Sequence, residues 1–255
     1  MKKFILSLGV ALGLSTFTFA GHSTSEPTKT PSEIMKELIT QDSEFAKEHH
    51  HDYFSVFQNK QSPYITMITC SDARVHENIL EKDPINKIFS IRNIGNQLLT
   101  SFGSVDYGVY HLHTPVLLIL GHTHCGAVKA ALGDYRNESF DIIKELDHLF
   151  IPLKDLKGTA KNKKEFEKIW IQGVERNVDY QVEMALKKYK KEVKEGKLTV
   201  IGAVDDFINA YKSGEGRIII INVNDEKNVN NIKKMKLFKD LSPKLKALYI
   251  KRITN

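Results

Sequence analysis

The sequence predicts an α/β fold, a single domain with a mainly parallel central β-sheet flanked by helices. Short apolar runs rich in β-branched residues alternate along the chain with longer helical stretches, which is the pattern of a parallel α/β domain. One run, from Val116 to Leu120, is apolar at every position, as is typical of a strand that is covered on both faces. No internal repeat and no second domain is indicated, so the predicted strands belong to one sheet.

The first residues of the chain have the layout of a secretory signal peptide. Met1 to Lys3 is basic, Phe4 to Leu14 is largely apolar, and Thr18 to Ala20 offers small residues where a signal peptidase cleaves. The alternative is an N-terminal membrane anchor, but the apolar run falls short of the ~20 residues that a membrane span needs. We therefore expect cleavage after Ala20 and an exported protein, periplasmic or secreted.

The expected cleavage site and the composition of the residues after it divide the chain into three parts. We expect residues 1–20 to be a signal peptide, residues 21–31, which are rich in Ser, Thr and Pro, to be a flexible linker, and residues 32–255 to form the domain. The formal net charge of +6 is spread over Lys- and Glu-rich helices such as 187–197. A solvated helical face explains this surplus better than a nucleic-acid groove, so we expect no nucleic-acid partner and, after signal cleavage, no membrane partner.

Apolar periodicity and turn residues place the individual elements. Ser32 is a plausible N-cap for the first helix, with more helix from Ser43 to Phe57. The predicted strands are Tyr64–Thr69, Lys87–Ile91, Val116–Leu120, Leu198–Val204 and Arg217–Val223. The further predicted helices are Phe102–His113, one that starts at Gly126, Phe140–Phe150 and Glu165–Glu195.

Only two cysteines occur, and in an exported protein a disulfide is the ordinary interpretation. Their positions also favour a metal site. Cys70 follows one predicted strand directly and His122 lies two residues beyond another, so both project from the carboxyl edge of the sheet, where ligands bind in open α/β folds. Cys125 precedes a helix start, where the helix dipole favours the thiolate. Two thiolates and one imidazole are typical of a catalytic zinc, whose fourth position is left for water.

A carboxylate stands close to this predicted site. Asp72 lies two residues after Cys70, and Arg74 two residues further on. Arg74 can hold Asp72 through a bidentate, charge-assisted hydrogen bond. Asp72 would then stay ionised and off the metal, where it can orient the nucleophile by accepting a hydrogen bond. The alternative is an ordinary surface ion pair.

Two segments, Cys70–Arg74 and Gly121–Ala127, resemble the motifs of β-class carbonic anhydrases, and the similarity extends from about Gln61 to Gly133. In that family the first motif supplies one zinc cysteine and the Asp–Arg pair. The second supplies the zinc histidine and the other zinc cysteine. The resemblance implies one zinc per chain on Cys70, His122 and Cys125, and reversible hydration of carbon dioxide to bicarbonate and a proton by zinc-bound hydroxide.

Further residues resemble the plant-like type of this family, in which the active site is open. Gln61 stands in a Gln-Ser-Pro context before the first motif. Phe89, Ile94 and Tyr107 match the apolar substrate pocket of that type. We also expect Gly126 to line this pocket. The other type carries a Trp near the glutamine position, whereas the only tryptophan here is Trp170. Two departures from the family pattern are an alanine at position 73, where serine is commoner, and an aspartate at position 106, where glutamate is usual.

The resemblance also implies a homodimer or a multiple of dimers, with pocket residues crossing the interface. Two alternative functions remain at this stage. Relatives of the family hydrolyse carbon disulfide or carbonyl sulfide with the same ligands, and access to the pocket decides between these substrates. The second alternative is a non-catalytic exported zinc-binding module, which would not need Asp72 or Arg74.

Overall fold

A computed structural model describes residues 29–254 of the chain. The predicted signal peptide and most of the predicted linker, through residue 28, lie outside the described residues. Within the described range, every helix is too short or too polar to cross a membrane.

The described residues contain a five-stranded sheet in the order β2-β1-β3-β4-β5. Its strands are β1 Ile65–Cys70, β2 Ile88–Asn93, β3 Val116–His122, β4 Thr199–Asp206 and β5 Arg217–Val223. The first four are mutually parallel, and β5 runs antiparallel to β4. The predicted α/β class and the mainly parallel sheet are therefore confirmed.

The strand register brings the predicted ligands to one edge of the sheet. Cys70 pairs with Asn93 at the end of β2, and Thr69 pairs with Leu120 of β3. The four parallel strands end one or two residues later than the sequence indicated, so Cys70 and His122 are the last residues of β1 and β3. Because parallel strands present their carboxyl ends on the same side, both side chains lie at the carboxyl edge.

Ten helices occupy the described part of the chain: α1 Pro31–Glu48, α2 His51–Ser55, α3 Phe102–Asp106, α4 Gly126–Leu132, α5 Phe140–Asp147, α6 Phe150–Leu153, α7 Lys163–Lys188, α8 Lys190–Lys194, α9 Val229–Lys234 and α10 Pro243–Tyr249. A π-helical turn, Tyr107–His111, continues α3. Short 3-10 turns occur at Glu77–Ile79 and Lys236–Phe238. We had predicted neither α9 nor α10.

The start of the first helix differs from the prediction. Thr30, not Ser32, is the N-cap, since the side chain of Thr30 accepts from the backbone N–H of Glu33 at 3.3 Å and Glu33 accepts from the N–H of Thr30 at 2.7 Å. This reciprocal pair is a capping box. Pro31 fits the first helical position because its missing N–H needs no partner there. The helix thus begins at the last residue of the predicted linker.

Helix α7 lies unusually close to the sheet because two strand residues are glycines. A Cβ added to Gly121 would come within 2.7 Å of Val178, and one added to Gly202 within 2.8 Å of the same side chain. Any larger residue at either position would push the helix away. This close packing fixes the middle of α7 against β3 and β4.

The two faces of the sheet are covered differently. The larger core cluster lies on the face that α7 covers and includes Val178 and Ile119. The smaller cluster, which includes Met67 and Leu120, lies on the opposite face. Helix α1 has no buried residue, and its apolar side chains are exposed, with Ile39 60% accessible. An apolar helix face without a partner indicates a binding surface.

Candidate metal centre

Three ligand atoms meet at the carboxyl edge of the sheet. The side chains of Cys70, His122 and Cys125 each offer one atom, and these atoms all lie within 4.8 Å of one another. The two sulfurs are 4.0 Å apart, and all three residues are buried. Both cysteines are free thiols, so the disulfide interpretation is wrong for this structure. The separation of the sulfurs suits two ligands of one tetrahedral ion.

The state of His122 fits a metal ligand. Its Nδ1 lies 3.0 Å from the carbonyl oxygen of Thr123, to which it donates. In a neutral imidazole with this tautomer, Nε2 carries the lone pair. This atom is buried and has no hydrogen-bond partner among the described residues. A buried lone pair without a donor is unfavourable, and a cation held with two thiolates removes that penalty. The donor set of two sulfurs and one imidazole suits zinc.

The two thiols share one proton in the metal-free centre. The hydrogen bond with Cys125 lowers the pKa of Cys70 to about 4, and His122 and the N–H of Gly95 act in the same direction. The same hydrogen bond, together with burial, raises the pKa of Cys125 well above its ordinary value. The predicted effect of the helix start on Cys125 is therefore overridden, although the N–H groups of Ala127 and Val128 do lower its pKa. A bound dication would displace the shared proton.

The predicted Asp–Arg pair is present in the structure. The guanidinium of Arg74 donates from Nε to Oδ1 of Asp72 at 2.9 Å and from Nη2 to Oδ2 at 2.6 Å. This pair lowers the pKa of Asp72 to about 2. Oδ2 lies 3.8 Å from Nε2 of His122, yet the group of ligand atoms in the described residues contains no carboxylate. The separation of Asp72 from a bound metal and its catalytic role both stay predictions.

One protomer brings together only part of the predicted substrate pocket. Ile94 directly follows Asn93, the residue that pairs with Cys70, and Gly126 directly follows Cys125. Phe89 and Tyr107 contact each other, with ring centroids 5.7 Å apart.

The other predicted pocket residues lie away from the ligand atoms of the same chain. Phe89 pairs with Thr66, four residues before Cys70, which is about 13 Å back along the strand. Gln61 is exposed ahead of β1. Thus Gln61, Phe89 and Tyr107 do not complete the pocket within one protomer.

Sequence reasoning missed Phe207, which lies just after β4. Its ring centroid is 5.5 Å from that of His122 and 5.1 Å from the guanidinium carbon of Arg74. An aromatic ring over a guanidinium restrains it through a cation–π contact. Phe207 therefore forms an apolar wall against both the metal ligand and the Asp–Arg pair. Its position at the carboxyl end of a predicted strand was the one available signal.

Asp205 was also missed, and it is the most unusual residue of the centre. It pairs with His122 across β3 and β4 and is 1% exposed. Neither carboxylate oxygen has a hydrogen-bond partner among the described residues. Burial raises the pKa of this carboxyl to about 6, although the nearby His122 lowers it in part. A buried carboxylate without donors is destabilising when ionised.

The fold and the centre define a class of protein, an α/β domain with a buried Cys2His metal site at the carboxyl edge of its sheet. Known proteins identify the family. Residues 65–211 match the family described as carbonic anhydrase. This match spans more than half of the chain. The chain therefore belongs to the carbonic anhydrase family, and its structural neighbours place it in the β class.

Individual relatives support this assignment over shorter segments. The carbonic anhydrase of Synechococcus elongatus is 36% identical over 91 residues, which is 32% of this chain and 33% of that protein. Carbonic anhydrase 2 of Mycobacterium tuberculosis is 36% identical over 73 residues, 28% of this chain and 35% of that protein. The aligned segments thus span about a third of these relatives.

Solved structures share the architecture. The Coccomyxa β-carbonic anhydrase in complex with acetazolamide has 25% identity and a TM-score of 0.58, covering 70% of this chain and 83% of that one. The β-carbonic anhydrase CcaA has 22% identity and a TM-score of 0.63, covering 74% and 95%. At that level of identity the second likeness shows the fold alone.

Asp205 predicts that metal-free wild type loses stability relative to an Asp205→Asn variant between about pH 4 and pH 6. Its pKa in the folded protein, about 6, lies above the ordinary value of 3.8. The fold therefore favours the protonated carboxyl, and this contribution, fully present below pH 3.8, is lost as the pH rises through 6. In Asp205→Asn the loss should be absent, and at pH 7 the variant should be more stable by on the order of 2 to 3 kcal/mol.

Urea unfolding of chelator-treated protein from pH 4 to pH 8 measures this effect. Asp240→Asn is the control, since that side chain is exposed and its removal should leave the pH profile of the wild type unchanged. Parallel profiles of wild type and Asp205→Asn would contradict the prediction.

Proposed function

We propose that the protein is a carbonic anhydrase that catalyses the reversible hydration of carbon dioxide to bicarbonate and a proton, with one zinc ion per chain. One observation carries this proposal. In a chain of the carbonic anhydrase family, a buried Cys2His set with an unpartnered imidazole nitrogen lies beside an arginine-held aspartate. Cys70, His122 and Cys125 would hold the metal. Bound zinc supplies Lewis acidity, which lowers the pKa of water so that a nucleophile forms near neutral pH.

Asp72 orients the nucleophile in this proposal. An ionised carboxylate can only accept hydrogen bonds, and Arg74 keeps Asp72 ionised by lowering its pKa to about 2. Because Arg74 occupies one side of both oxygens, the carboxylate has a fixed direction. Its Oδ2 faces the space near Nε2 of His122. There it can accept the O–H of the attacking water and turn a lone pair toward the carbon of the substrate.

Carbon dioxide is apolar and needs a dry site. Phe207 covers His122 and Arg74, and Ile94 lies next to the end of β2 beside Cys70. These apolar side chains would shield the substrate from bulk water, which would strengthen the electrostatic interactions of the centre. Gly126 adds no side chain there, and the space that a Cβ would occupy is open, with no atom within 4 Å.

We infer that the protein assembles as a homodimer or a multiple of dimers. The apolar stripe of α1, formed by Ile34, Met35, Leu38 and Ile39, is exposed in a single chain. Gln61, Phe89 and Tyr107 lie away from the metal centre of their own chain. A second copy related by a two-fold axis can cover α1 and lend these pocket residues to its neighbour. The structure of β-carbonic anhydrases from Sordaria macrospora, which share 22% identity, is described as tetrameric.

Export to the periplasm or the medium is a separate proposal. It rests on the basic start, the apolar run and the cleavage site within residues 1–20. Amino-terminal sequencing of the protein after expression in its host tests it. Gly21 is the expected first residue, and an intact Met1 in the exported fraction would contradict cleavage.

The two alternative functions are less well supported. Each relative reported above is named a carbonic anhydrase, which does not favour carbon disulfide or carbonyl sulfide as the substrate. A non-catalytic zinc module would not need an aspartate held in one direction beside the metal. Assays of both sulfur substrates alongside carbon dioxide separate the first alternative from the proposal.

Asp72→Asn should lower kcat/KM for carbon dioxide hydration by at least about a hundredfold, because the amide no longer acts as a fixed acceptor and its NH2 group faces Arg74. Zinc content should stay at one ion per chain. Stopped-flow carbon dioxide hydration and elemental analysis measure the two quantities.

The chain offers a matched control for this variant. Asp134 and Arg136 form a pair with the same spacing and the same bidentate geometry, but both are exposed at the surface. Asp134→Asn should leave activity unchanged. Full activity of Asp72→Asn would contradict the proposed mechanism and favour the non-catalytic module.

Charge placed in the apolar stripe of α1 should dissociate the assembly. The double substitution Leu38→Glu and Ile39→Glu should yield monomers that keep zinc and lose carbon dioxide hydration, because the pocket residues of a neighbour are missing. Light scattering coupled to gel filtration measures the mass. Phe140→Glu, at an exposed aromatic residue of α5, is the control and should change nothing. A monomeric wild type, or an active monomeric variant, would contradict the inference.

A further inference from the structure

The loop between β3 and α4 carries the ligand Cys125 and has little support of its own. Cys125 is the N-cap residue of α4, and its sulfur interacts with the N–H groups of Ala127 and Val128 but makes no full capping hydrogen bond. The preceding residue, His124, has a φ of +56°. This left-handed conformation is unfavourable for a residue with a side chain and persists only where its surroundings enforce it. Something outside the loop must therefore hold it.

We propose that Trp170 and Glu167 of α7 are positioning residues that hold this loop in the geometry of a metal ligand and thereby set how tightly the protein retains zinc. The inference rests on the metal centre and is independent of the reaction catalysed there. Neither residue belongs to the ligand set or to the Asp–Arg pair.

Trp170 contacts both residues at the end of the loop. Its indole Nε1–H donates to the carbonyl oxygen of Cys125 at 2.8 Å. Its ring stacks on the imidazole of His124, with centroids 4.5 Å apart and planes 15° apart. Trp170 is 8% exposed, so the hydrogen bond is shielded from water. One rigid side chain thus fixes the backbone of the ligand and the strained residue before it.

Glu167 stands one turn earlier on the same helix face as Trp170. Its Oε2 lies 3.0 Å from Nε2 of His124. The side chain of Glu167 is 40% exposed, so its contribution is smaller than that of the buried indole. Together the two side chains restrain the imidazole ring at its face and at its edge.

The loop is held from its other side by Arg74, whose Nη2 donates to the carbonyl oxygen of His124 at 3.2 Å. The same guanidinium holds Asp72. A shift of His124 would therefore disturb the ligand sulfur and the Asp–Arg pair together. Because α7 packs closely against the strand glycines, its side chains form a rigid support for the loop.

Trp170 fills space in the core, and it also bonds to the ligand loop. A buried indole N–H needs an acceptor in any role, and here the acceptor is the backbone carbonyl of Cys125, which belongs to the ligand set. Groups that orient a ligand from outside the coordination sphere typically alter metal affinity by about 10- to 100-fold when they are removed. Space filling and orientation therefore predict different effects of a substitution that keeps the ring.

Trp170→Phe makes this distinction, since it keeps an aromatic ring over His124 and removes the donor to Cys125. We expect the variant to bind zinc about tenfold more weakly and to release it about tenfold faster. Glu167→Gln should weaken zinc binding by only about threefold, as suits a half-exposed hydrogen bond. Competition with a chromogenic chelator measures affinity and release in the full chain.

Two further measurements separate orientation from general destabilisation. The visible spectrum of the cobalt-substituted protein reports the geometry of the thiolate ligands and should change in Trp170→Phe. Urea unfolding of the metal-free forms reports packing alone. Phe166→Leu is the matched control, because Phe166 packs against Trp170, with ring centroids 6.1 Å apart, and has no hydrogen bond to the loop. It should lower stability without weakening zinc binding.

Wild-type zinc affinity and an unchanged cobalt spectrum in Trp170→Phe would overturn the inference. So would equal zinc losses in Trp170→Phe and Phe166→Leu, since packing would then explain both. These outcomes are independent of the proposed function. A wild type that binds zinc but does not hydrate carbon dioxide would refute the function and leave this inference intact.

Discussion

Two cysteine sulfurs and one imidazole nitrogen, all from buried residues, converge at the carboxyl edge of the sheet, and the rest of the site depends on that convergence. Without a cation the arrangement is unfavourable. The thiols compete for one proton, and the lone pair of His122 Nε2 has no donor among the described residues. A protein maintains such a group only if something relieves it. A soft dication with a fourth position left for water does so, and it also provides the chemistry that the carbonic anhydrase family requires.

The surrounding structure serves to hold these atoms in place. Parallel strands bring Cys70 and His122 to one edge, and glycines at positions 121 and 202 admit α7 close to that edge. The helix then supports the loop of Cys125, and Arg74 connects that loop to Asp72. Asp205 is an exception, because its carboxylate is buried next to His122 without a hydrogen-bond donor among the described residues. The positive charge of a bound metal would offset part of that penalty.

Much of this could be predicted from sequence because the signals were local. The strands were marked by short apolar runs, the ligands by two motifs, and the Asp72–Arg74 pair by its spacing. Contacts between distant segments left no such mark. Trp170 lies 45 residues from the carbonyl that it binds, and Phe207 is only one apolar residue among many. The cap at Thr30 was missed because Ser32 is an equally good capping residue, and only the backbone shows which one accepts the hydrogen bond.

The raised pKa of Cys125 could not be predicted from the sequence either, because it depends on the distance between the sulfurs of Cys125 and Cys70. The same distance carries the central claim, that the two sulfurs and His122 bind one metal ion. Elemental analysis of the purified wild type and of Cys70→Ser and Cys125→Ser tests this most directly. The account predicts one zinc per chain in the wild type and almost none in either variant. Wild-type protein without stoichiometric metal, or with Cys70 and Cys125 joined in a disulfide, would contradict it.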